Sequence, residues 1–511
     1  MTRAALAALW LPLLASTTCG KDKSESTPPA QNAPKRAVLF IAADLRGYVA
    51  PCGCSENMRG GIARAAEQIA RSRKSGAPTF FVEGGDSLFG PGPLKEEQLP
   101  QEERKARAIA QAFQQMGLAT RARGELDDAR GEAFRTSLQL PELAPGQAKI
   151  LDSGAGAAKL GVAAGGTDAE LLQAAKKARD SGATFVLGLY HRPLADAQRL
   201  AADPSLQADL LVATHSDGVD AADNGKLLQN AGVPVVQLQD KGQVLLRVDL
   251  ALEGGAARFE PIRSSQEVEK EAASLQERIA LLNAQVNEPG IDPALHAMKQ
   301  QKIGELVVRR AVLLSAPPPT MEGKNAFSAR FVPLDAALPM DPAVKATVDA
   351  YDRDVSKLNL EWARAHGKDC PAPTAGAPGF AGTARCAECH DESMPVYRNS
   401  KHSRAYATLV EAGKQYHLNC IGCHVTGAYQ PGGVCRVDKI EGRENVGCES
   451  CHGPGSVHSE DPSVKNIVRK PEKQACEGCH NHENSPNFDF ARYLPQILGP
   501  GHGQPLAKKK K

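Results

Sequence analysis

Four copies of one short pattern, Cys-x-x-Cys-His, fall in the last third of a 511-residue chain: Cys386/Cys389/His390, Cys420/Cys423/His424, Cys448/Cys451/His452 and Cys476/Cys479/His480. Two thiols at this spacing suit thioether attachment to the vinyl groups of a porphyrin, and the adjacent imidazole then reaches the iron. A zinc site or a redox dithiol accounts for one Cys-x-x-Cys, but neither requires a histidine after the second cysteine four times over. The expectation is four covalently attached haem c groups. Within residues 382–511, a stretch with few aromatics, they leave too little side-chain volume for an independent core, so cofactors are expected to hold that segment together.

Each iron also has a far side. The histidines of this segment outside the motifs are His402, His417, His458, His482 and His502, five candidates for four positions. The stretches RCAECHDESMPVYRNSKHSRAYATL, GKQYHLNCIGCHVTG, NVGCESCHGPGSVHSE and ACEGCHNHENSPNFDFARYLPQI resemble the tetrahaem cytochrome c554-type domain. That domain is related to octahaem hydroxylamine- and nitrite-processing families. The resemblance implies that His402, His417, His458 and His502 supply the distal imidazoles and that His482 is the spare. The wider group includes members in which one iron is five-coordinate.

Cysteine usage divides the chain. Cys19, Cys52 and Cys54 stand near the start and the other ten of the thirteen begin at Cys370. The Pro/Gly-rich stretch from Lys368 to Gly382 therefore reads as a boundary. Cys370 and Cys435 lie outside the haem motifs, and in an oxidising compartment they are candidates to pair. Residues 1–19, with Arg3 before a short apolar run ending in small residues, read as an export signal. Cys19 stands where a lipoprotein signal places its acylated cysteine; cleavage without lipidation is the alternative. Residues 20–36 read as a flexible tether, 37–260 as an α/β layered domain, 261–315 as a helical hairpin, 316–381 as a connector and helix, and 382–511 as a mostly helical, loop-rich tetrahaem domain. Covalent haem and export both point to the periplasm or another extracytoplasmic compartment. A formal charge of +2 gives no case for nucleic acid, and no later apolar run is long enough to span a bilayer, so membrane contact is expected only through the lipid anchor.

In the α/β domain four strand-like runs deliver a potential metal ligand at their carboxyl ends, where such folds gather ligands. VLFIAAD ends at Asp44, TFFVEGGD at Asp86, TFVLGLYH at His191 and DLLVATH at His215. The stretch LFIAADLRGYVAPCGCSENMRGGIARAAEQIARSRKSGAPTFFVEGGDSLFG resembles the opening of the 5'-nucleotidase branch of the calcineurin-like metallophosphoesterases, and the resemblance extends to about Leu250. It implies two divalent metals, with Asp44, Asp86, His191 and His215 as ligands and Asp86 bridging. This chain departs from that pattern three times. Asp44-Leu45-Arg46 replaces Asp-x-His; Ala122-Arg123-Gly124-Glu125 replaces Gly-Asn-His-Glu; Thr214-His215-Ser216-Asp217 replaces Gly-His-x-His, with Asp217 an altered ligand. The expectation is one divalent metal at most and loss of ordinary nucleotidase activity, with Arg46 and Arg123 available to bind a small anion. Cys52 and Cys54, in Pro-Cys-Gly-Cys, suit a strained disulfide, a soft-metal site or a redox pair, beside an ordinary structural use.

Val268, Ala272, Leu275, Ile279, Leu282 and Val286 advance by alternating fours and threes, the seam of a helical hairpin that either spaces domains or forms a partner surface. The expected function is electron relay between donor and acceptor proteins, other cytochromes among them. Two alternatives stand beside it: a haem oxidoreductase acting on a small nitrogen or sulfur compound, and an active metal-dependent phosphoesterase fused to a cytochrome.

Overall fold

The computed structural model describes residues 36–51, 58–152, 159–216, 227–228, 232–251, 259–262, 265–287, 292–315, 325–481, 484–485 and 487–505. The signal with Cys19, the tether up to residue 35, the Cys52/Cys54 pair, Asp217 and His482 lie outside the described residues.

In chain order the α/β region contributes β1 (Arg36–Ala42), β2 (Thr79–Glu83), β3 (Leu118–Ala122), β4 (Glu142–Leu143), β5 (Gln147–Asp152), β6 (Lys159–Gly165), β7 (Phe185–Tyr190), β8 (Leu210–Ala213), β9 (Val235–Gln237), β10 (Val244–Ala251), β11 (Glu260–Pro261) and β12 (Ala326–Pro333). Its helices are α1 (Ile62–Lys74), α2 (Leu99–Gln115), α3 (Gly131–Ser137), α4 (Asp168–Asp180), α5 (Leu194–Ala201), α6 (Ser265–Val286), α7 (Pro293–Ser315) and α8 (Pro342–His366). One sheet has the order β11-β12-β10-β1-β2-β3-β4 and the other β5-β6-β7-β8-β9. β1 runs parallel to β2 and antiparallel to β10.

The two sheets face each other. Ala37, Leu39 and Ile41 of β1 join Leu160, Val162, Phe185, Leu187 and Val212 in the core between them. Their neighbours Val38 and Phe40 point the other way, into a second core with Ile69, Ile109, Phe113, Val344 and Tyr351 beneath α1, α2 and α8. Because β1 is buried on both faces, it reads as a continuous apolar run rather than an alternating one. A third core, with Leu171, Ala174 and Leu200, joins α4 and α5 to the outer face of the second sheet. Local chemistry sets the helix starts. Thr167 and Glu170 form a reciprocal capping box at α4, and Asp341 accepts the N–H groups of Ala343 and Val344 at α8, with Pro342 next in line.

Helices α6 and α7 form a hairpin that packs through Leu275, Ile279 and Leu306. Its setting differs from the expectation. Residues 316–381, read as a connector and helix, supply β12, which pairs with β10 along its whole length from Ala326↔Ala251 to Pro333↔Val244. They also supply α8, whose Val344, Val348, Tyr351 and Val355 join the core beneath α1 and α2. The hairpin is thus an insertion between two strands of one sheet. A run as short and polar-interrupted as AFSARFVP gains its strand character from pairing with β10, which no local pattern announces.

The haem-motif segment is built of short helices: Thr383–Ala387, Leu418–His424, Cys448–His452 and Lys473–Glu477. Its apolar cluster is small, with Ile421, Val425, Val434, Val437 and Ile440 against Ala363 of α8. A disulfide joins Cys370 to Cys435. Among the described residues no helix is long and apolar enough to cross a membrane.

Candidate functional site

Each Cys-x-x-Cys-His motif sits on a helical turn, which brings the first cysteine and the histidine onto one face. The backbone N–H of His390 donates to Cys386 O at 3.0 Å, and that of His480 to Cys476 O at 2.8 Å. Three motif histidines then meet a second imidazole from elsewhere in the segment. The ring centres of His390 and His458 are 6.2 Å apart, those of His402 and His480 6.1 Å, and those of His452 and His502 6.2 Å. Two imidazoles sharing one metal, at about 2 Å per metal–nitrogen bond, place their ring centres about 6 Å apart. The pairs therefore have the spacing of axial ligands on a common iron.

Ring orientation agrees. Nδ1 of His452 faces Val468 O at 2.7 Å, that of His458 Ser463 O at 3.0 Å, that of His502 Ile497 O at 2.7 Å, and that of His480 the Ser485 hydroxyl at 3.1 Å. With Nδ1 donating to these oxygens, Nε2 is left to coordinate. Burial, followed by the neighbouring charge of His480, holds the His402 pKa below the usual imidazole value, and burial does the same at His480. Both are thus biased toward the neutral form that binds metal.

The second motif is different. His424 directs Nδ1 to Ala405 O at 2.5 Å, but among the described residues no second imidazole ring stacks or pairs with it. His417, expected as a distal ligand, is 5% exposed, packs against Tyr351 at 5.9 Å and has Nε2 3.0 Å from Asp352 O. It stands at the N-cap position of the helix that carries His424, so both rings start from one short element. The structure brings His402, His458 and His502 to motif partners and leaves His417 in a polar seam with α8.

That seam ties the second motif to the α/β domain. Gln101 of α2 accepts the Leu418 N–H at 3.1 Å and the Asn359 side-chain N–H at 2.8 Å, and Asn359 also donates to Tyr416 O at 2.8 Å. Beside it lies a cavity of about 1480 Å³ that is lined by Cys420, Cys423 and His424, by Cys476, Cys479 and His480, and by Arg46, Lys105, Lys241 and Tyr351.

In the α/β domain, Asp86, His191 and His215 come together at the ends of three strands. Asp86 Oδ2 is 3.3 Å from His191 Nε2 and 3.4 Å from His215 Nδ1. One ligand atom from each of the three lies within 4.8 Å of the others. Nδ1 of His191 is buried without a hydrogen-bond partner. Two imidazoles and a carboxylate with one such orphaned nitrogen suit a single divalent ion of the zinc or late transition-metal kind. Burial alone would raise the Asp86 pKa. The hydrogen bond to His215, the His191 charge and the Leu126 N–H together outweigh it and hold the carboxyl below its ordinary value.

Asp86 occupies the left-handed region, φ 57°, and is held there from behind. The Asp127 carboxylate accepts N–H groups from Asp86, Ser87, Leu88 and Gly124 at 2.9–3.1 Å. Arg121, fully buried, joins Asp127 to Glu83. A side chain at Gly124 would meet Asp86 Oδ1 at 2.2 Å, so only glycine fits.

Asp44, expected as a ligand, is taken by an internal cation instead. Arg46 binds it through two bonds of 2.8 and 2.9 Å, donates to Ser216 O at 2.5 Å and lies 3.2 Å from Asp240. Burial raises the Asp44 pKa, and the Arg46 contact opposes that rise. Arg123 is engaged by Asp128 through two bonds. Both arginines considered for anion binding thus already have carboxylate partners, because each stands beside an acidic residue two or five positions away. Sequence reasoning missed Asp127, Asp240 and Gln101, none of which belongs to a recognisable motif.

These site features stand beside likenesses to known proteins. Residues 385–453 match the family described as cytochrome c554 and c-prime. The match takes in the first three motifs. The cytochrome c-554 of Nitrosomonas europaea is 33% identical over 96 residues, an alignment covering 16% of this chain and 40% of that protein. This chain therefore spans less than half the length of that relative. Over the α/β region the chain is similar to a 5'-nucleotidase precursor from Thermus thermophilus, with TM-score 0.41, 12% identity, and 63% of this chain and 59% of that chain covered. It is also similar to the sulfate thiohydrolase SoxB of the same organism, with TM-score 0.37, 14% identity, and 64% and 61% covered. The calcineurin-like phosphoesterase YfkN of Bacillus subtilis gives TM-score 0.34 and 15% identity, with 44% and 87% covered. The layered α/β architecture itself rests on the strand pairings given above.

Proposed function

We propose that this chain is a periplasmic tetrahaem cytochrome that relays electrons between protein partners, with haem c attached at its four Cys-x-x-Cys-His motifs. The observation that carries this reading is the set of three imidazole pairs at 6.1–6.2 Å. An iron closed by imidazole on both sides keeps the same six ligands in both oxidation states, so little rearrangement accompanies electron passage. Other cytochromes are the natural donors and acceptors, and Cys19 is the candidate lipid anchor.

The haem at Cys420, Cys423 and His424 has a second role in this reading, because His424 borders the large cavity while His417 rests on Tyr351 and Asp352. It is open to an external ligand, which favours action on a small nitrogen or sulfur compound at that one centre. In the α/β domain, Asp86, His191 and His215 hold one divalent cation. With Asp44 bound to Arg46, the two-metal arrangement that activates water for phosphoester hydrolysis is not supported.

Electron paramagnetic resonance of the oxidised full-length protein, with haem and metal quantified per chain, tests the proposal. Four haems, three low-spin irons, one high-spin iron and one divalent cation are expected, without nucleotide hydrolysis. Four low-spin irons would remove the open centre, and a haem content below four would remove the tetrahaem assignment.

A further inference from the structure

The wall of the cavity beside His424 comes partly from the α/β domain. Arg46 follows β1, Lys105 lies on α2, and Lys241 stands in the turn before β10. Together with Lys95 they give that side of the cavity four cationic residues against one carboxylate, Glu102, and Lys414 adds another cation from the haem segment. Lys105 is only 7% exposed and lies 2.6 Å from Glu102. Lys241 lies over the Tyr48 ring at 5.7 Å. Among the described residues, the acidic partners of Arg46, Lys241 and Lys414 include Asp44, Asp240 and Asp352. None of these three is among the lining residues, so it is the cations that border the cavity. A concave, partly desolvated wall with an excess of one sign of charge concentrates ligands of the opposite sign.

The geometry points to a binding site for a small oxyanion at the His424 haem, with Lys105 and Lys241 in its cationic wall. This rests on the open iron proposed above and adds the class of ligand. It also gives the α/β domain a role that needs no hydrolysis: it completes one haem pocket and selects by charge what enters.

The test is a ligand titration of the oxidised full-length protein, followed through the high-spin iron signal, with nitrite and sulfite as anionic probes and imidazole as a neutral one. Lys241→Met is expected to weaken both anions by about tenfold or more, the scale of losing one charge at close range in a partly buried site, and to leave imidazole binding unchanged. Lys105→Met should act in the same direction. Because it leaves Glu102 buried without its cation, Lys241→Met and Lys241→Gln carry the test if it fails to fold. Equal weakening of anions and imidazole would mean that the lysine only shapes the pocket, and would overturn the inference. Unchanged anion affinity with a shifted midpoint potential for this haem would assign the lysines to the haem's own propionates, and would also overturn it. Absence of any high-spin signal in the unmodified protein would instead refute the open iron, a result distinguishable from both.

Discussion

His390 and His458 stack with ring centres 6.2 Å apart and planes 21° from parallel, although one belongs to the first haem motif and the other follows the third. The other two pairs also cross the segment: His402, between the first two motifs, meets His480 of the fourth, and His502 near the carboxyl end meets His452 of the third. Each shared iron would therefore join parts of the chain remote in sequence. Replacing His402, His458 or His502 by alanine should each convert one low-spin haem to high-spin, read by electron paramagnetic resonance. His417→Ala should leave the low-spin count unchanged. A new high-spin iron in that variant would show that His417 does reach an iron and that the pairing is wrong.

Asp86 and Asp44 should separate in metal analysis. Asp86→Ala removes the carboxylate shared by His191 and His215 and is expected to abolish divalent-cation binding. Asp44→Asn leaves the three-residue cluster whole and should retain one cation per chain. Elemental analysis after dialysis against zinc or manganese decides; equal loss in both variants would make Asp44 a ligand after all.

Arg46→Ala would leave Asp44, 1% exposed, without its bidentate partner. Stranding a buried carboxylate costs several kcal/mol, and the partial exposure of Arg46 reduces that to about 2–4 kcal/mol. The expected outcome is a lowered denaturation midpoint for the α/β domain. An unchanged midpoint would mean that the pair contributes little.

Gln101→Ala tests how firmly the second motif is tied to the α/β domain. It leaves the Leu418 N–H and one Asn359 N–H without their acceptor in a buried seam, an expected loss of about 1–3 kcal/mol. Amide hydrogen exchange at Leu418 should speed up, with exchange in the strands between the two sheets unaffected.

The Cys370–Cys435 bridge spans a sequence separation of 65. Replacing both cysteines by serine should destabilise the join between α8 and the haem segment by up to about 4 kcal/mol in the chain-entropy description. Limited proteolysis within residues 368–382 is expected to accelerate, and an unchanged cleavage rate would count against the staple.

The haem-attachment reading comes from the residues alone, because that chemistry requires a fixed local spacing and nothing beyond the motif, as in Cys386, Cys389 and His390. The layered α/β fold was legible for a similar reason, since runs such as VLFIAAD and TFVLGLYH are buried on both faces and stay apolar throughout. The departures at Arg46 and Arg123 were visible too, but not their consequence. That Arg46 takes Asp44, Asp240 and Ser216 O to itself depends on three loops converging. The same holds for β12, a strand only because β10 lies beside it, and for His417, which the family resemblance implied as a distal ligand while its ring rests on Tyr351 and Asp352. Local spacing sets which groups can bind a cofactor. Only the tertiary structure decides which of them face one another, since contacts between residues remote in the chain depend on how every intervening element packs.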